Sequence, residues 1–257
     1  MKPFIMIAPN GAHKTKIDIP TIPLTADEIA LEAVRCESAG ANGIHLHVRD
    51  VYLNHCLDYK LYKNHISKIK KKLPKFFIQV TTESAGRFNP EAQRQLIDNL
   101  LPSGASISIK EMWKEPDKKI LANFYHRSQE NGTEVQHIIY DKSDILLLSH
   151  AIKTGIIPRK ALSYLLVLGR HDIVQESMPE DFFPLYAECE KKLSFQDCKK
   201  MLCAFGRNEI SCLVTGVRFG FDCRIGFENN HLNEDGSFSS SNAERVAFLY
   251  QKIKQIF

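Results

Sequence analysis

The sequence predicts a single closed (β/α)8 barrel, and three features carry that prediction. Short runs that read as strands alternate eight times with segments patterned as helices. The eight units fill 257 residues, the usual size of such a barrel. No linker-like or low-complexity tract interrupts them, so the whole chain, residues 1–257, reads as one domain. Strands that alternate with helices imply a parallel sheet with right-handed crossovers. An open doubly wound sheet is the competing architecture. It is disfavoured because no G-x-G-x-x-G follows the first strand.

Each element has its own local signal. Residues 4–8 are a short apolar strand, followed by a loop to residue 24 with prolines at 20 and 23. Thr25-Ala26-Asp27-Glu28 is a capping box. It opens a helix that runs to about Ala39, where Gly40 stops it. Residues 43–50, GIHLHVRD, alternate aliphatic and polar side chains and form the second strand. A helix follows over 59–72, then a third strand over 76–80. Asn89 is an N-cap with Pro90 at the first helical position, and that helix ends near Leu101. Residues 105–109 are the fourth strand, followed by an irregular connection and a helix over 117–130. The fifth unit is strand 133–140 with helix 143–153. The sixth is strand 161–168 with helix 179–191. The seventh is strand 201–205 with a short helix over 208–214. The eighth strand is 222–226. Ser241-Asn242-Ala243-Glu244 is a second capping box, and its helix runs to the end of the chain.

Composition narrows the function. The net charge is +4, with 44% hydrophobic and 25% charged residues, ordinary values for a globular protein. No long basic run is interleaved with aromatics, so nucleic acid is not expected as a partner. The basic run at 68–72 falls at a helix C-terminus, where cations suit the dipole. The seven cysteines are scattered with no C-x-x-C pair. Reduced thiols in the cytoplasm are therefore expected. The apolar run at 4–8 is too short for a signal peptide or membrane span, so no membrane is expected as a partner.

The chemistry is organised around GIHLHVRD. On a strand, residues i and i+2 share a face, so His45 and His47 point one way and Ile44, Leu46 and Val48 the other. Two imidazoles about 6–7 Å apart on one pleat can both reach one metal ion. The same pair would equally suit a polar cavity in which both rings are hydrogen-bonded. A catalytic zinc wants a third protein ligand.

The active site of a (β/α)8 barrel lies at the C-terminal ends of its strands. Asn10, Gly11, His13 and Lys14 follow the first strand, and Thr81 and Glu83 the third. Ser106 and Ser108 lie on the fourth. Arg170 follows the sixth strand and Arg207 the seventh. Arg224 lies on the eighth, followed by Glu228 and Asn229. Strands one, two and eight are neighbours in a closed barrel, so Glu228 is the natural third ligand. It would otherwise be a solvent-exposed loop carboxylate. Small residues at the end of strand one, Ala8 and Gly11, leave space between strands two and eight.

Several segments resemble the β-keto acid cleavage enzymes, a family whose founding activity cleaves 3-keto-5-aminohexanoate with acetyl-CoA. They are PNGAHKTK, IPLTADEIALEA, AGANGIHLHVRD, IQVTTES, QHIIYD, LVLGR and VRFGFDCRIGFENN with SSSNAERV. Together they span nearly the whole chain. The resemblance implies a zinc-dependent barrel that forms a homo-oligomer, tetramer or dimer. It implies zinc on His45, His47 and Glu228, and an arginine, Arg224, beside the catalytic carboxylate. It implies substrate contacts from Thr81 and Ser106. Two positions depart from the family pattern. Asn229 stands where the family has its catalytic aspartate, and an amide cannot act as a carboxylate base. His13 stands where an acidic residue receives the substrate's amino end, which puts an amino substrate in doubt.

The expected function is zinc-dependent cleavage of a β-keto acid with acetyl-CoA, giving an acetoacetate-type product and a new acyl-CoA. Arg170 and Arg207 are candidates for anionic groups of substrate or CoA, or for structural ion pairs. Asn10 and Ser108 are further candidate substrate contacts. Glu83, where the founding enzyme has glycine, is the candidate replacement base, with Asn229 beside the metal ligand. Glu83 would turn inward to pair with Arg224 or approach the substrate. It would otherwise be a loop carboxylate paired with a surface lysine or with Arg87. A zinc-bound hydrolase or lyase without CoA, and a binding protein that kept only the metal, are the competing functions.

Overall fold

A computed structural model describes residues 2–160, 162–169, 176–194 and 197–256. Eight parallel strands close into a barrel in the order β1 to β8. They are β1 (Ile5–Ile7), β2 (Gly43–Leu46), β3 (Phe77–Thr81), β4 (Gly104–Ser108), β5 (Glu134–Ile139), β6 (Ser163–Leu168), β7 (Lys199–Ala204) and β8 (Asp222–Ile225). The ring of helices comprises α1 (Ala26–Ala39), α2 (Tyr59–Lys72), α3 (Pro90–Leu100), α4 (Ile109–Met112), α5 (Lys118–Glu130), α6 (Lys142–Lys153), α7 (Phe182–Lys192), α8 (Glu209–Arg218) and α9 (Asn242–Lys254).

Strand alternation divides the apolar residues into two layers. Ile5, Ile7, Ile44, Leu46, Ile78, Val80, Cys223 and Ile225 face the helices in one continuous core. Met6, Leu165, Val167, Met201 and Cys203 fill the barrel interior. His45, which alternates with Ile44 and Leu46, therefore faces inward. Met6 pairs with Arg224 in register across β1 and β8, and His45 pairs with Gln79 across β2 and β3.

Several features differ from the sequence expectation. The second strand stops at Leu46, not Asp50, because its pairing with β3 ends there; Arg49 instead makes an isolated antiparallel bridge to His55. The connection after the fourth strand contains α4, capped by Ser108. At α9 the capping box is half formed. Ser241 accepts from Glu244 N, but the Glu244 carboxylate accepts from Ser240 N at 2.6 Å, one residue further back. Among the described residues all seven cysteines are free, and no helix is long and apolar enough to cross a membrane.

Candidate metal centre and its surroundings

The ends of β2 and β8 bring three ligand-type side chains together. His45 lies on β2, His47 just beyond it, and Glu228 three residues after β8. All three are buried. His45 Nε2 lies 3.1 Å from His47 Nε2. Glu228 Oε2 lies 3.7 Å from His45 Nε2 and 3.3 Å from His47 Nε2. Ligand atoms held tetrahedrally at about 2.0–2.1 Å from zinc stand about 3.3 Å apart. The triangle thus has the edge lengths of one tetrahedral face, and the fourth vertex is left to a ligand. Glu228 Oε2 has no hydrogen-bond partner in the protein, as expected of an atom meant for a metal. The residues fit a divalent ion of the zinc kind.

Local sequence explains how Glu228 reaches that point. Gly226 has φ +144°, and an added Cβ would lie 2.5 Å from Ala8 O. The chain can therefore turn in close against β1, where Glu228 N donates to Ala8 O at 3.0 Å. Gly11 has φ +66°, and a Cβ there would lie 2.7 Å from Glu228 Cγ. The small residues after β1 do make room for the carboxylate.

The protonation states suit metal binding. Burial lowers the His45 pKa to about 3, so the ring is neutral at pH 7. Its Nδ1 lies 2.8 Å from Gln79 Oε1. An amide oxygen only accepts, so Nδ1 carries the proton and Nε2 presents its lone pair. Gln79 is in turn held by Gln136 Oε1. Burial by itself would raise the Glu228 pKa. Arg224, at 3.3 Å from Oε1, and the two imidazoles outweigh it and hold the carboxyl well below the usual range.

The other expected site residues divide into groups. Arg224 projects inward from β8 and touches Glu228 and Cys203 Sγ, while its Nε has no protein partner. Asn10 Oδ1, Ser106 Oγ and both amide atoms of Asn229 are also buried without partners. Thr81 is buried, and its hydroxyl accepts from Glu83 N. Glu83 does turn inward, but toward the histidines: Oε2 lies 3.8 Å from His47 Nε2 and Oε1 3.5 Å from His13 Nε2. Arg224 takes Glu228 as its partner, and Arg87 donates to His55 O. Burial opposes the Glu83 charge, yet the hydrogen bond from His13 and the nearby His47 and His55 hold its pKa at about 2.

Ser108 is spent on capping α4. Arg207 pairs with Glu176 at 2.7 Å on the surface, the structural alternative foreseen for it. Arg170 lies outside the described residues. Gln79 and Tyr140 were not foreseen. Gln79 was visible as a polar residue at an inward position of an otherwise apolar strand, but its meaning depends on the β2–β3 register. The Tyr140 phenol lies within electrostatic reach of Glu83 and Arg224, and burial raises its pKa. Lys14, which follows the first strand, sends Nζ to the carbonyls of Phe227 and Glu228.

Comparison with known proteins finds a family and several relatives. The family model for beta-keto acid cleavage enzymes matches residues 2–256. A 3-keto-5-aminohexanoate cleavage enzyme of Acetoanaerobium sticklandii is 28% identical over 252 residues, covering 95% of this chain and 89% of the relative. A 3,5-dioxohexanoate:acetyl-CoA acetone transferase of Paraburkholderia graminis is 24% identical, covering 99% of this chain and 89% of the relative. Among solved structures, ObcA in a binary complex with oxaloacetate superposes with a TM-score of 0.71 at 14% identity. That match covers 92% of this chain and 64% of ObcA, so the chain spans just under two thirds of that protein. A type I 3-dehydroquinate dehydratase from Clostridium difficile superposes at 0.65 with 10% identity, covering 99% and 92% of the two chains. These structural likenesses establish the barrel fold. With its sequence matched almost from end to end, the chain belongs to the β-keto acid cleavage enzyme family.

Proposed function

We propose that this chain is a zinc-dependent enzyme that cleaves a β-keto acid with acetyl-CoA. In the net reaction the C2–C3 bond of the keto acid breaks. The acetyl carbonyl carbon bonds to C2 and gives acetoacetate, and the acyl group at C3 leaves on the sulfur of coenzyme A. The observation that carries the reading is the convergence of His45, His47 and Glu228, with Arg224 on the carboxylate, in a member of this family. The name of the Paraburkholderia graminis relative, an acetyl-CoA acetone transferase, supports the co-substrate.

His45, His47 and Glu228 would hold the ion, which supplies Lewis acidity at the keto oxygen and a chelating point for the substrate carboxylate. Arg224 has a free Nε–H for negative charge as it develops on the substrate. Ser106 Oγ and Asn229 Nδ2 are buried, unpartnered donors for the substrate's oxygens, while Asn10 offers Oδ1 as a free acceptor. Thr81 lines the same rim. Asn229 cannot accept a proton, and Glu83 takes the base role. Its carboxylate is charged at neutral pH, half-buried and directed at the metal ligands. His13 is what the substrate's far end meets, and Arg170 is the candidate for outlying anionic groups of CoA, since Arg207 is paired with Glu176.

The chain works as one domain and as a homo-oligomer, tetramer or dimer, in the cytoplasm. Seven unpaired thiols favour a reducing compartment, and the family likeness favours assembly. Light scattering on the purified protein tests the assembly.

The function is tested by incubating metal-loaded protein with a panel of β-keto acids and following products by mass spectrometry. Acetoacetate and a new acyl-CoA should appear only when acetyl-CoA is present. Turnover without acetyl-CoA would replace this reading by a hydrolase or lyase. The amide at position 229 favours a second reading, a binding protein that kept the metal site. Metal-dependent ligand binding with no turnover would establish that one.

A further inference from the structure

The loop between β1 and α1 lies directly against the peptide that carries Glu228. Gly11 packs directly on the Glu228 side chain, with no room for a Cβ. Three residues on, the half-buried Lys14 sends its ammonium to Phe227 O at 2.5 Å and Glu228 O at 3.2 Å. The loop is itself tied to the other ligand-bearing strand. Arg49, two residues after His47, donates through Nε and Nη2 to Gly11 O at 3.1 and 2.6 Å, and through Nη2 to Lys14 O at 3.2 Å. Among the described residues no other group accepts a hydrogen bond from Lys14 Nζ, so its bonding is with the peptide that carries Glu228.

We propose that Lys14 is a positioning residue for the metal centre: it latches the 227–228 backbone so that Glu228 stays on the face defined by His45 and His47. The inference rests on the metal-site reading above. Its physical content is preorganisation. A carboxylate on a loop must otherwise lose its freedom when the ion arrives, which weakens binding. Groups that orient ligands without touching the metal are typically worth about 10–100-fold in affinity. Lys14 supplies that constraint from β1, and Arg49 carries it across to β2, so all three strands at the site are joined through one loop. The Lys14 ammonium also places a positive charge near Glu228 and the buried Glu209.

The test is zinc affinity, measured by competition with a chromogenic chelator on the full chain. Lys14→Met keeps the length of the side chain and removes its donors. It should bind zinc about 10–100-fold more weakly than wild type, while the metal-free protein keeps its circular dichroism and a cooperative melt. Gly11→Ala approaches the same clamp from its other contact. The added Cβ must displace Glu228, so zinc affinity should fall there too, with Lys14 intact. A Lys14→Met protein that folds and binds zinc as wild type does would overturn the clamp and leave the metal site standing. If Lys14→Met does not fold, wild-type affinity in Gly11→Ala would overturn it. Absence of zinc binding by the wild type would overturn the metal site and the clamp together.

Discussion

At the scale of single residues, the family resemblance leads one to expect carboxylates at positions 229 and 13, and the chain has Asn229 and His13 there. Asn229 is an amide in a place where the chemistry asks for a carboxylate, and it is buried with neither polar atom satisfied. Glu83 brings a carboxylate to the same mouth from the end of β3, 3.8 Å from a ligand nitrogen. Removing its charge while keeping its shape should separate the two. Glu83→Gln should lower kcat about 10²–10⁴-fold, the usual worth of a general base, with KM changed little. If Glu83→Gln keeps full activity and Asn229→Asp raises the rate, the protein is a weakened enzyme and Glu83 a bystander. Most of this site was legible in the sequence, because H-x-H on a strand and Glu228 after strand eight need only the period of a strand and the closure of a barrel. Two things were not legible. The direction in which Glu83 turns depends on His13, brought in from another loop. The destination of Lys14 Nζ depends on the path of the β8 loop.

Elements were readable where their signals are local. α1 begins and ends as expected because both ends are set within four residues. Thr25 accepts from Glu28 N, Glu28 accepts from Thr25 N, and Gly40 takes φ +117°. Where a non-local contact decides, the reading fell short. The helix of the seventh unit was expected over 208–214, yet α8 continues to Arg218. Gly216 is there because a Cβ would lie 2.6 Å from Leu202 Cδ2: it lets the helix pack close on β7 and does not stop it. The second strand stopped short for the same kind of reason, the limit of its pairing with β3. The α1 cap can be tested directly. Thr25→Ala should cost about 1 kcal/mol and lower the melting temperature by about 2–4 °C. Thr25→Ser, which keeps the acceptor, should restore most of it. Equal loss in both variants would show that the methyl group, not the cap, carries the stability.

On the proposed metal-site reading, the whole molecule should respond to metal and to acid through groups set deep in the fold. An ion that binds only the folded barrel stabilises it by about 2.7 kcal/mol at a hundred times its dissociation constant. Stripping zinc with a chelator should therefore lower the melting temperature by about 5–10 °C, and His45→Ala should show no such difference. Acid acts at a place remote from the metal. His137 on β5 is buried against the Tyr125 ring of α5, at a centroid distance of 5.4 Å, and its Nδ1 has no partner. Burial lowers its pKa from 6.5 to about 3. Its folded pKa lies below its unfolded one, so between pH 6.5 and pH 3 the unfolded chain binds the proton that the barrel refuses. Stability is thus full above about pH 6.5 and falls with acid through that window, by up to about 1.4 kcal/mol per pH unit from this group. His137→Phe keeps a ring against Tyr125 and cannot take a proton. In urea titrations of metal-free protein, wild type should lose about 2 kcal/mol more than His137→Phe between pH 6.5 and pH 4.5. Parallel losses in the two proteins would mean that protonated His137 is accommodated within the barrel and that acid sensitivity arises elsewhere.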